Sequence, residues 1–101
     1  MSAIEETLER IQKQPGVEAY VILNNEGEIL RRMPSMSQEV AEQYANKVKD
    51  LVKKAANATR DLNPEDKLKN LRIRTKTKEM LVSFATDSVV IIIQSWSHYM
   101  G

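Results

Sequence analysis

No cysteine occurs in the 101 residues, so disulfide staples and thiolate metal sites are both excluded. Glycine and proline number three each, and the glycines stand alone at positions 16, 27 and 101, which rules out a glycine-rich phosphate loop. The single histidine, His98, has no acidic residue beside it and reads as a solvated side chain, not a catalytic base. The acidic residues form no Asp-x-Asp or Glu-x-x-His pattern and read as helix caps and solvated helix faces. Neither sign of charge dominates. Fifteen basic and 14 acidic residues leave +1, which sets up no global field to draw in nucleic acid or membrane. The longest aliphatic run, Val89 to Ile93, falls far short of the roughly 20 residues of a membrane helix, so membrane insertion is not expected. The start, Met1 to Glu6, is acidic and lacks the apolar centre of a secretory signal, and Ser2 stands where a myristoylation signal has glycine. The expected protein is therefore a cytosolic one that is not an enzyme and holds no cofactor or metal.

What is present is ordinary globular composition, 42% hydrophobic and 29% charged, in a chain long enough for one domain. A domain of this size buries only roughly 60–70% of its unfolded surface, so a partner covering apolar area would help it. Ser2 to Gln14 predicts a helix. Ser2 and Glu5 form a capping box, Ile4, Leu8 and Ile11 share one face, and Pro15-Gly16 ends the element. Val17 to Leu23 and Glu28 to Arg32 predict a hairpin around the turn Asn24-Asn25-Glu26-Gly27. Ser35 with Gln38 suggests the cap of a second helix, whose stripe Val40, Tyr44, Val48, Leu51, Val52, Ala55 runs to about Asp61. Such a rod is roughly 35–40 Å long, enough to cross a whole sheet. Asn63-Pro64 breaks it.

Three more strands are expected. Leu71, Ile73 and Thr75 alternate with Arg72, Arg74 and Lys76; Thr77-Lys78 turns the chain; Met80, Val82 and Phe84 alternate next; Asp87-Ser88 turns it again. Val89 to Ile93 does not alternate, the mark of a strand covered on both faces and central in its sheet. The order α-β-β-α-β-β-β with short turns predicts an α+β fold, a five-stranded antiparallel sheet with helices on both faces.

Two basic groups stand out: Lys67, Lys69, Arg72, Arg74, Lys76 and Lys78 around the third strand, and Lys47, Lys49, Lys53, Lys54 and Arg60 on the long helix. No aromatics interleave with the strand charges, so they read as a solvated or ion-paired face, or one that meets an acidic protein, and nucleic acid is not an expected partner. With the last strand central, Leu71 to Lys76 falls near a sheet edge. Its charges either block edge pairing or are matched by a symmetric partner. A two-fold dimer, strand to strand with the long helices side by side, would use this edge and the small residues Ala41, Ala45 and Ala56.

Several stretches resemble the roadblock family of dynein light chains. They are Glu5-Glu6-Thr7-Leu8, Gly16-Val17, Asn24 with Glu26-Gly27, Arg60-Asp61-Leu62-Asn63-Pro64, Leu71-Arg72-Ile73-Arg74-Thr75-Lys76, Glu79-Met80-Leu81-Val82 and Ile93-Gln94. The resemblance implies a domain over residues 1–94, followed by a tail at 95–101. It also implies a homodimer joined through Leu71, Arg72, Ile73, Arg74, Thr75 and Lys76, with Val48, Leu51, Val52 and Ala55 of the adjacent helices. The partner it implies is the dynein intermediate chain, at cytoplasmic microtubules or in a ciliary axoneme; related domains instead scaffold small GTPases. Two places depart from the pattern. Family members commonly end soon after the position of Gln94, whereas here Trp96 and Tyr99 follow in a tail that either folds back or meets a partner. The loop Arg32-Met33-Pro34 also differs.

Overall fold

The computed structural model describes residues 3–95, in the order α1 (Ala3–Lys13), β1 (Val17–Asn24), β2 (Ile29–Arg32), α2 (Gln38–Leu62), β3 (Asn70–Arg74), β4 (Lys78–Phe84) and β5 (Ser88–Ser95). The strands form one antiparallel sheet in the order β2-β1-β5-β4-β3. The expected class and element order are observed, with the Val89–Ile93 run central and β3 at an edge. Trp96, His98 and Tyr99, and the Ser2 half of the first capping box, lie outside the described residues.

The centre of the sheet explains the sequence of β5. Ile91, with Val21, Leu23 and Val82, is buried under Ala41, Ala45 and Val48 of α2. Val90, with Tyr20 and Ile22, is buried on the other side under Ile11 of α1. Since side chains alternate between faces, a strand covered on both must be apolar at every position. Ala41 and Ala45 let α2 approach the sheet closely, and Ile22 and Ile91 are fully enclosed.

The turns follow from local chemistry. The Asn24 side-chain oxygen accepts the N–H groups of Glu26 (3.0 Å) and Glu28 (2.9 Å), and Gly27 takes a φ of 88° that favours glycine. Two expectations need correction. The cap of α2 is Ser37, not Ser35: its hydroxyl accepts the Val40 N–H at 3.2 Å, while Ser35 sits in the turn that Met36 N–H closes onto the Met33 carbonyl. The third strand also ends at Arg74. Thr75 closes the β3–β4 turn, its N–H bonding the Lys78 carbonyl at 2.8 Å and its hydroxyl accepting the Lys78 N–H at 3.1 Å, so Thr75 and Lys76 belong to that turn and Lys78 begins β4.

Candidate functional site

Helix α2 carries two apolar stripes where the sequence shows one. Ala41, Ala45 and Val48 face the sheet and are buried, and no residue of α2 after Val48 is buried. The second stripe is set about one residue, or roughly 100°, around the helix. Its large members are left to solvent: Val40 is 40% exposed, Leu51 37% and Leu62 88%. Between this stripe and β4 lies a groove of about 610 Å³, lined by Val40, Tyr44, Lys47, Val48, Leu51 and Met80 among others. Met80 pairs with Ile73 across β3–β4, so the groove opens along the side of the molecule where β3 ends the sheet. Strand β3 pairs with β4 alone among the described strands, which leaves one edge of its backbone without a ladder.

These placements sort the expected interface residues. Leu71 and Ile73 are half-buried on the α2 side, and Leu71 packs on the core there. Arg72 and Arg74 point to the opposite face. Val48 is 2% exposed and belongs to the core, and Val52 packs against it, whereas Leu51 lies on the outward stripe; Ala55 is half-buried. The loop at Arg32 to Pro34 leads into α2, with Arg32 bonded to the Met36 carbonyl and to Gln38.

The basic face of β3 is an ion-paired one, and its partner is a residue that the sequence pattern did not single out. Glu79, on β4, is 4% exposed. Arg74 Nε donates to its Oε2 at 3.1 Å and Arg74 Nη2 lies 3.0 Å from the same oxygen; Gln94 Nε2 donates to Oε1 at 3.1 Å; Arg72 Nε stands 3.8 Å away. The Gln94 hydrogen bond does most to hold the Glu79 carboxyl below its ordinary range. Burial pulls the other way, but the Arg74 hydrogen bond and the charges of Arg72 and Arg74 add to the Gln94 contribution, and the net shift is downward. The register Arg74↔Glu79↔Gln94 creates this cluster. The signal in the sequence was one carboxylate in β4 opposite a basic strand, visible only once the strands are paired.

A second, more polar groove of about 320 Å³ runs on the α1 side, between Thr7, Arg10 and Gln14 of the helix and Ser83, Val90 and Ile92 of the sheet. No group of three or more His, Cys, Asp or Glu among the described residues can hold a metal ion, and no described helix is long and apolar enough to cross a membrane.

A five-stranded antiparallel sheet between a short and a long helix, with an open edge and an apolar groove beside it, defines a class of small two-sided α+β domains. Within it, the chain belongs to the Roadblock/LC7 domain family, whose model matches residues 3–95. Three solved structures share the fold. A Roadblock/LC7 domain from Streptomyces avermitilis aligns at a TM-score of 0.75 and 13% identity, covering 84% of this chain and 71% of that one. The gliding protein MglB from Thermus thermophilus aligns at 0.70 and 15%, covering 90% and 70%. MglB from Myxococcus xanthus aligns at 0.69 and 13%, covering 85% and 70%. At these identities the likeness is one of fold.

Proposed function

We propose that the protein is a non-catalytic scaffold that pairs with a second copy of itself and holds another protein. The observation that carries this reading is the outward stripe of α2, three large apolar residues beside a groove and an open strand edge, features that gain by being covered. For the client, a small GTPase that the pair scaffolds or regulates is the first reading. It is supported by likeness to gliding proteins and bacterial Roadblock domains, which lie outside the dynein light chains. The dynein intermediate chain is the second, favoured by the runs Leu71 to Lys76 and Arg60 to Pro64, which resemble stretches of the light-chain family. Either client places the protein in the cytoplasm, the second at microtubules.

Affinity purification of the tagged chain from its own cells, with mass spectrometry, separates the two. A Ras-like GTPase recovered without dynein chains supports the first reading, and dynein intermediate chain without a GTPase supports the second. A single-copy solution mass at micromolar concentration would sink the self-pairing on which both rest.

A further inference from the structure

We propose that the groove between α1 and β4 is the seat of the chain's own residues 96–101, with Trp96 and Tyr99 covering Ile92 and Leu81. The inference goes beyond the self-pairing and client readings above and depends on neither. Helix α1 covers only part of its face of the sheet. The apolar cluster beneath it draws on β1 and β5, through Tyr20, Ile22, Val90 and Ile92, and on no residue of β3 or β4. Leu81 of β4 pairs with Ile92 and shares its face, yet it packs into neither core cluster of the described residues. The groove of about 320 Å³ lies here, with Val90 and Ile92 as its floor, Arg10 and Gln14 on one wall and Ser83 on the other. An apolar floor between polar walls suits a large ring with one polar atom at its edge, which is what tryptophan and tyrosine carry.

The chain leaves β5 beside this groove. The Ser95 N–H donates to the Gly16 carbonyl at 2.9 Å, which sets the end of the strand against the end of α1, close to Gln14. Ile92 and Gln94 lie on the α1 side of β5, and the alternation of a strand, carried one step further, assigns position 96 to that same side. Position 96 is roughly 13 Å along the strand from Ile92, and residues 96–101 span roughly 20 Å when extended, so the segment is long enough to fold back over Ile92 and Leu81. Its composition fits the seat. It holds no Lys, Arg, Asp or Glu, so the arginines on that face, Arg10, Arg72 and Arg74, meet no like charge and present cations to the ring faces. Each ring has about 150–250 Å² of surface to bury, a large payload for so short a segment.

Trp96 is the chain's only tryptophan and cysteine is absent, so the full chain carries its own fluorescent probe and takes a label at one introduced cysteine. Seated as proposed, Trp96 emits to the blue of its position in the urea-unfolded chain, and acrylamide quenches it several-fold less. A nitroxide on Arg10→Cys, an exposed position on the groove wall, is expected to quench Trp96 several-fold more than one on Gln43→Cys, exposed on the α2 side near Met80. Emission that unfolding leaves unchanged, equal quenching from the two labels, or stronger quenching from Gln43→Cys overturns the proposal. The labelled Arg10→Cys chain carrying Trp96→Phe is also refolded together with unlabelled parent chain. Quenching in that mixture places the segment on a second copy and overturns the seat within one chain, whereas unchanged emission upholds it.

Discussion

Replacing Leu51 by Ala tests whether the outward stripe drives association. Full burial of a leucine side chain is worth about 1.5–3 kcal/mol. Leu51 is 37% exposed, so its unburied share corresponds to about 0.6–1.1 kcal/mol per copy, or about 1.1–2.2 kcal/mol for the two copies of a symmetric pair. At 1.4 kcal/mol per factor of ten, the dimer Kd should weaken by about 6- to 40-fold. The share already buried within the protomer also contributes, so Leu51→Ala should cost each monomer about 1–2 kcal/mol. Leu8→Ala is the control. Leu8 is half-buried against the core beneath α1, on the far side of the sheet, so its loss should destabilise the fold comparably and leave association untouched. Sedimentation equilibrium over a range of concentrations gives Kd, and urea unfolding gives the monomer term. A Leu51→Ala Kd within twofold of the parent, or an equal weakening by Leu8→Ala, would refute the assignment of the stripe to self-association.

Ile91→Ala removes a fully enclosed side chain from the central strand, and a cost of about 2–5 kcal/mol should lower the thermal midpoint by at least about 8 °C in calorimetry. Ser37→Ala should destabilise the protein by about 1 kcal/mol in denaturant titration and Ser35→Ala by far less; the reverse order would place the α2 cap wrongly. The depressed Glu79 carboxyl contributes stability that is present above its unfolded value, near 4.5, and is lost as pH falls through the lower folded value. Between neutral pH and pH 3, unfolding midpoints of the parent should therefore fall more steeply than those of Glu79→Gln, and parallel curves would remove Glu79 as a source of acid sensitivity.

The architecture was legible because the central strand leaves no ambiguity. A run of five β-branched residues has one place in a sheet of this size, and the turns at Asn24 to Gly27 and near Asp87 fix its neighbours. The register of individual side chains was less so. Ala41 and Ala45 differ from Val40 and Tyr44 by one position, and a count of apolar residues at helical spacing merges two stripes about 100° apart. Which stripe meets the sheet depends on how α2 lies across it, a tertiary choice that no local pattern encodes. Glu79 was hidden for a related reason. Its partners Arg72, Arg74 and Gln94 lie in the adjacent strands and come together only through the β3–β4 and β4–β5 ladders. The strand end at Arg74 was missed because Thr75 and Lys76 continue the alternation while the Thr75 hydroxyl bends the chain into its turn.

The Glu79 cluster bears on why an open edge can be kept at all. Two arginines on an edge strand repel a like strand when their charge is free. Here one carboxylate, nearly closed to water, sits against both, so a protomer brings two positive charges and one negative to that face. The pairing lowers the net positive charge of that face without cancelling it. On the other face of the same strand, Leu71 and Ile73 are half-buried and continue toward the groove beside α2. Under the proposed self-pairing, association through the strand alone would gain little apolar burial and retain the repulsion, while association that also buries the α2 stripe would gain apolar burial to set against it. Under the proposed self-pairing, the edge would therefore favour a copy that covers the α2 stripe as well as the strand, with the charged cluster opposing association through the strand alone.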